Sequence, residues 1–331
     1  MSVQGLRTRV LAGLHRHLGT FSNSAITYDS EEMNDGAGAQ LHRVLGIFAL
    51  SRAIGASYLH TPVENVLYRG VPGTFDPDQT ELLAGLQRLA PLASDTDVDH
   101  LVARARVVKA TTFSLSEHHR DAGTREKPTL FKVAYPFKIL DRVPAYWRAA
   151  QRAVPSLPPR RGDVLKIAVH IRRGDVHFVD KHRMLPNSYY LGVLERVIAI
   201  CRSIGRNYAI DIFSESLATG TTLRPEDFAP GMSRQSFVVS GDLDNFGEFG
   251  SLGPINYRIN EDLISTIRAM TEADVLVTSK SSMSVVAGLL QQSGIVLFHP
   301  FWHSALPDWV ITKPDGSFDA DRVTRLLLSQ P

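Results

Sequence analysis

Hydrophobic positions along the chain fall into two kinds of run. Leu41, Val44, Leu45, Phe48, Ala49 and Ala53 recur three and four apart, which predicts a buried helix that Gly55 ends. Ahead of it, Asp35-Gly-Ala-Gly-Ala-Gln-Leu-His42 reads as a glycine-rich turn. Ser57–His60 reads as a short strand, and Glu81–Leu92 and Asp97–Val107 read as further helices. Val164-Leu-Lys-Ile-Ala-Val-His-Ile171 is different: a nearly continuous apolar run, as in a strand buried on both faces of a parallel sheet. Beyond it Tyr189–Ile204 reads as a helix, Ala209–Ser214 and Phe237–Ser240 as strands, and Asp262–Met270 as a helix. Val275–Val277 and Ile295–Phe298 add strands around a helix from Met283 to Gln291. This alternation predicts a doubly wound α/β half. Between the halves, Pro155-Ser-Leu-Pro-Pro-Arg-Arg-Gly162 is dense in helix breakers, so the expected domains are residues 1–160 and 161–331.

Length and composition support that division. At 331 residues the chain exceeds one ordinary core, and 44% hydrophobic with 21% charged residues is the balance of a globular protein. A net charge of +2 provides no field for nucleic acid, so any anion binding has to be local. The single cysteine, Cys201, and the lack of an Asn-x-Ser/Thr sequon favour a reducing, cytoplasmic setting. No apolar run reaches the roughly 18 residues of a membrane span, and the N-terminus does not read as a signal peptide. Leu6, Val10, Leu11, Leu14 and Leu18 do share one helical face, so residues 6–18 are read either as a packed helix or as a peripheral membrane contact.

Ligands of doubly wound sheets gather at the carboxyl ends of strands, where His170, Arg172, Arg173 and Asp175 stand. A guanidinium fork matches a diphosphate and stays charged, so it neutralises a leaving nucleotide; the plainer reading pairs it with a nearby carboxylate. The same Arg-Arg-Gly-Asp-Val string occurs at Arg160–Val164, but only the second copy follows a strand. An Arg-Gly-Asp adhesion role is set aside for that reason. Asp274-Val-Leu-Val-Thr-Ser-Lys-Ser-Ser-Met283 reads as a strand, a hydroxyl-rich turn and a helix start, where Ser281 and Ser282 offer hydroxyls and N–H groups to an anion or simply cap the helix.

Together these segments resemble the GDP-fucose-dependent fucosyltransferase superfamily, α1,2, α1,6 and protein O-linked branches included. His170-Ile-Arg-Arg-Gly-Asp175 is similar to its His-x-Arg-Arg-Gly/Thr-Asp signature, Gly36-Ala-Gly-Ala-Gln-Leu-His-Arg43 to its N-terminal glycine loop, and Ala273–Ser282 to its third motif, in the same order. The resemblance implies a GT-B-like fold of two facing Rossmann-like α/β domains, an acceptor domain followed by a donor domain. It also implies inverting transfer of fucose from GDP-fucose to a glycan hydroxyl, without a metal or a separate cofactor. By the same likeness Arg172 and Arg173 fall on pyrophosphate-binding arginines, with Arg173 acting in catalysis, and His170 falls on a donor-binding histidine. Gly36 and Gly38 fall in the N-terminal glycine loop of the acceptor-side domain, with a donor-binding role, and Ser281 and Ser282 on phosphate-contacting serines. Asp180 falls where the α1,6 branch places a base. His177, an imidazole able to take a proton, and Asp175 compete with it for that role. Ala39 stands where two branches carry asparagine, and the aspartate expected to read guanine falls on Thr266, with Asp262 one turn earlier.

Two rival classes remain. Asp242-Leu-Asp244 follows a predicted strand, as in a metal-dependent GT-A transferase. A non-catalytic nucleotide- or glycan-binding protein of the same fold would keep the arginines and release no nucleotide. Asp95–Asp99 begins like a calcium loop but lacks its glycine and glutamate, and His118 and His119 lack a third ligand.

Overall fold

The computed structural model of the chain describes residues 21–29, 36–63, 102–111, 126–134, 164–228 and 233–330, with scattered positions between 85 and 151. The chain is α/β and divides into two compact units, residues 1–34, 39–65 and 86–155, and residues 35–38, 66–85 and 156–331. The breaker-rich segment 155–162, the helix read at residues 6–18 and the Asp95–Asp99 segment lie outside the described residues.

In the first unit β1 (Ser24–Tyr28), β2 (Ser57–Tyr58), β3 (Arg106–Thr111) and β4 (Thr129–Ala134) form a parallel sheet in the order β2-β1-β4-β3. The helix α1 (Ala37–Ile54) is buried along most of its surface: Leu41, Val44, Leu45, Ile47, Phe48 and Leu50 are each at most 2% exposed. It ends as expected at Gly55, whose φ of 74° lets Ala56 N–H reach Ser51 O at 3.0 Å in a Schellman closure. Two expectations are corrected here. The glycine-rich segment is not a turn beyond Gly36, because the helix already begins at Ala37 and takes Gly38, Ala39 and Gln40 as its first turn. The helix expected over Asp97–Val107 gives way to β3 from Arg106, an edge strand with mostly exposed side chains and hence no apolar period.

The second unit contains β5 (Val164–Ile171), β6 (Asn207–Ser214), β7 (Thr222–Leu223), β8 (Phe237–Val238), β9 (Ile255–Ile259), β10 (Val275–Val277), β11 (Ile295–Phe298) and β12 (Val310–Ile311). β7 and β8 pair antiparallel by themselves, so the strand expected at Phe237–Ser240 is shorter and stands outside the main sheet. The other six are all parallel in the order β9-β6-β5-β10-β11-β12. Counted in chain order this is 3-2-1-4-5-6, the doubly wound arrangement, and the direction of winding reverses between β5 and β10.

The helices of this unit are α2 (Val176–Val179), α3 (Asn187–Ser203), α4 (Leu263–Thr271), α5 (Ser282–Leu290) and α6 (Ala320–Ser329). Alternation along β5 sends Leu165, Ile167, Val169 and Ile171, each at most 1% exposed, into a core shared with Val193, Val197 and Cys201 of α3 and Val323 and Leu327 of α6. Each such aliphatic side chain stabilises the fold by about 1.5–3 kcal/mol. The intervening positions, Ala168 and His170, point to the opposite face and are buried there too, which is why the run reads as continuously apolar. Packing on both faces fixes the carboxyl ends of β5 and β10, and the candidate site is built on those ends.

Candidate functional site

β5 stops at Ile171, and the chain turns through Arg172, Arg173, Gly174 and Asp175 into α2. Gly174 makes the turn at φ 74°, in the left-handed region that glycine tolerates, and a Cβ there would lie 2.7 Å from Glu215 Oε2. Neither arginine is open. Arg172 and Arg173 are 8% and 5% exposed. Arg172 donates from Nη1 to Glu215 Oε2 at 2.8 Å and to Arg173 O at 2.6 Å, and from Nη2 to Asp175 Oδ1. Arg173 donates from Nη2 to Asn187 Oδ1 at 2.6 Å and from Nη1 to Arg172 O at 2.9 Å, and its Nε lies 3.2 Å from Asp244 Oδ1. The same Asp244 oxygen is 2.9 Å from His177 Nε2. The plain carboxylate pairing weighed for these arginines is therefore realised: two guanidiniums face Asp175, Glu215 and Asp244.

The strand across the switch point ends in hydroxyls. Ser281 is the N-cap of α5, its Oγ accepting from Met283 N at 3.3 Å, and Ser282 Oγ lies 2.9 Å from His303 Nε2. The first N–H groups of such a helix have no carbonyl partner within it and carry the positive end of its dipole. His170 joins the two strand ends, with Nδ1 2.8 Å from Ser279 Oγ. Burial, reinforced by Arg172 and Arg183, lowers its pKa to about 3, so it is a neutral hydrogen-bonding ring. The loop after β11 closes on the same place, where Arg183 stacks over Trp302 at 5.0 Å and Lys280 Nζ donates to His182 O at 2.9 Å.

The remaining predicted residues are distributed around this centre. Asp180 lies between α2 and the Lys181–Arg183 turn, half-buried, and among the described residues its carboxylate has no hydrogen-bond or ion-pair partner. Asp175 is engaged by Arg172 and His177 by Asp244. Gly36 precedes α1 and is half-buried. Gly38, which groups with the second unit, is there for close packing: a Cβ would fall 2.8 Å from the backbone N of Met283, at the start of α5. Thr266 is 6% exposed within α4, and Asp262 caps that helix by accepting from Ser265 N at 2.9 Å.

The two aspartates of the Asp-x-Asp string have different partners. The Asp244 side chain is 1% exposed and paired with Arg173, and Asp242 Oδ1 accepts from Asp244 N at 3.0 Å to close a turn. Asp244 thus faces a guanidinium while Asp242 is exposed, and among the described residues no group of three or more His, Cys, Asp or Glu is placed to hold a metal ion. Sequence reasoning missed Glu215 and Asn187; both follow a strand or open a helix at the ligand-binding end of the sheet, the one signal that could have marked them. Among the described residues no helix is long and apolar enough to cross a membrane.

No family model and no curated protein matches the chain. Among solved structures it is similar to POFUT1 in complex with GDP-fucose, at 11% identity and a TM-score of 0.37, covering 81% of this chain and 94% of that one. It is similar to the E. coli heptosyltransferase WaaC with ADP-2-deoxy-2-fluoro heptose, at 12% identity and a TM-score of 0.36, covering 92% and 99%. The Methanocaldococcus jannaschii UDP-GlcNAc 2-epimerase in complex with UDP-GlcNAc and UDP gives 11% identity and a TM-score of 0.32, covering 93% of each chain. At such TM-scores the likenesses carry no weight for function.

Proposed function

We propose that the chain is a nucleotide-sugar-dependent glycosyltransferase whose donor diphosphate lies across the β5–β10 switch point, and that it transfers fucose from GDP-fucose to a glycan hydroxyl. One observation carries this reading: an arginine pair and a hydroxyl-capped helix N-terminus meet at the carboxyl ends of the two strands where winding reverses. Guanidinium forks match diphosphate oxygens, and the helix adds N–H donors and a favourable dipole. The GT-B-like pairing of an acceptor domain with a donor domain, and inversion at the anomeric carbon, rest on the motif resemblance. Gly36 and Gly38 would bring backbone close to the donor. A cytoplasmic setting rests on the one cysteine, Cys201, which is buried, and on the lack of a sequon.

In the proposed reaction the acceptor oxygen bonds to the anomeric carbon, a base takes the hydroxyl proton, and the bond to the diphosphate breaks with its electron pair leaving on the nucleotide. Arg172, Arg173 and the start of α5 stabilise that departing charge. Because Asp175 and His177 are already engaged while Asp180 is half-buried and unpartnered among the described residues, Asp180 is the favoured base. The arginines supply the positive charge that a cation supplies elsewhere, so metal is not required.

Release of nucleotide from labelled sugar donors, with and without EDTA, tests this. Turnover of GDP-fucose that survives chelation is expected. Saturable binding without release would instead identify a non-catalytic binding protein, and loss of turnover restored by manganese would overturn the metal-independent mechanism.

A further inference from the structure

The arginine turn does not carry the surplus positive charge that its sequence promises. Arg172 and Arg173 are matched by three carboxylates, Asp175, Glu215 and Asp244, so an incoming anion has to replace one of them. Their exposures are unequal: the side chain of Asp244 is 1% exposed, that of Asp175 8% and that of Glu215 29%. Unpairing a buried carboxylate strands a charge away from water, whereas a partly exposed one is rehydrated as it leaves. Glu215 is the member that can yield.

Its surroundings suit such an exchange. The backbone on either side is fixed: Ser214 Oγ donates to Ile171 O at 2.7 Å, Ser216 N donates to Asn260 Oδ1 at 2.9 Å, and Asn260 Nδ2 returns a bond to Ser216 O at 3.0 Å. Movement is thereby confined to the side chain, which rotates about its own bonds. The Glu215 carboxylate fills the space left by the missing Cβ of Gly174, 2.8 Å from Arg172 Nη1, where a phosphate oxygen would make the same charge-assisted bond. Arg172 keeps Asp175 and Arg173 O throughout, so its guanidinium stays aimed when Glu215 departs.

We infer that Glu215 is an exchangeable counter-ion, holding Arg172 until the diphosphate of the ligand displaces it; this rests on the diphosphate reading given above. Binding is then an exchange of one anion for another, weaker than two open arginines would give, and the return of Glu215 helps the product diphosphate to leave. A residue that merely oriented Arg172 would behave in the opposite sense, since its loss would weaken binding.

Isothermal titration of GDP and of inorganic pyrophosphate into the wild-type chain and Glu215→Gln separates the two. Both Kd values are expected to fall about two- to fivefold in the variant, which is the worth of a partly exposed ion pair, and the gap should narrow as salt rises. Glu215→Ala, which removes the competing carboxylate while Asp175 and Arg173 O still hold Arg172, should shift in the same direction, and Asp175→Asn should weaken binding. Unchanged or raised Kd values in folded Glu215 variants would overturn the exchange while leaving the diphosphate site standing. If neither ligand binds any of these proteins, the diphosphate reading falls and the exchange falls with it.

Discussion

The turns after β5 and β10 flank the same switch point and are built on opposite chemistry. After β5 the polar groups are ions with assigned partners: Arg172 with Asp175 and Glu215, and Arg173 with Asp244 and Asn187. After β10 they are hydroxyls, with Ser279 on His170, Ser281 on its own helix and Ser282 on His303. A buried ion pair holds its geometry tightly but leaves a stranded charge when one member is removed, whereas a hydroxyl can turn to another acceptor at little cost. The β5 turn therefore supplies charge and the β10 turn supplies shape. The ring that joins them, His170, is kept neutral, so it bridges the two without altering the charge balance of either.

The contrast breaks most sharply at Arg173. Arg173→Ala leaves Asp244 buried without its guanidinium, so the variant should lose about 3–5 kcal/mol in urea unfolding as well as its affinity for nucleoside diphosphates. An arginine in an open cleft would have cost binding alone, and unchanged stability would return Arg173 to that simpler picture. Next comes Asp180→Asn, expected to lower kcat by roughly a hundredfold while nucleotide Kd stays constant, because a base acts on the transition state. Full kcat in that variant, with loss in folded His177→Ala, would move proton abstraction to the His177–Asp244 pair.

The bridge between the turns gives a smaller, pH-dependent effect. The folded-state value of His170, about 3, lies below the ordinary value of 6.5, so the unfolded chain takes up the proton first. Stability from this residue is intact above that ordinary value and declines as pH falls toward 3, by up to about 1.4 kcal/mol per unit. Urea midpoints at neutral and mildly acid pH should converge in His170→Gln relative to the wild type; an identical acid limb in both would assign the effect elsewhere. Least stability is at stake on the hydroxyl side, where Ser281→Ala removes an N-cap worth about 1 kcal/mol, measurable as a small drop in Tm.

What could be read in the sequence follows the same physical division. β5, β10 and β11 are legible because burial on both faces makes them continuous apolar runs, and α3, α4 and α5 are legible from their periodicity. β3, β9 and β12 went unread because each is a sheet edge, where Arg106-Val-Val-Lys-Ala-Thr111 and Ile255-Asn-Tyr-Arg-Ile259 can remain partly exposed. The central β1 and β4 were unread as well, and α6 is recognisable only once its Val323 and Leu327 are seen to be buried. At the site, Arg172, Arg173, Ser281 and Ser282 stood out because they follow buried strands. Their partners did not: Glu215 lies 43 residues from Arg172, and only the pairing of β5 with β6 brings the two together. The pairing of Asp244 with Arg173 is hidden for another reason: an Asp-x-Asp string looks the same in sequence whether it holds a cation or a guanidinium.

A structure of the chain determined with saturating GDP would test the central claim most directly. Diphosphate density is expected between the Arg172–Arg173 turn and the first turn of α5, with the Glu215 carboxylate swung away from Arg172 Nη1. Density at another place on the sheet, or an Arg172–Glu215 pair left intact beside a bound nucleotide, would contradict it.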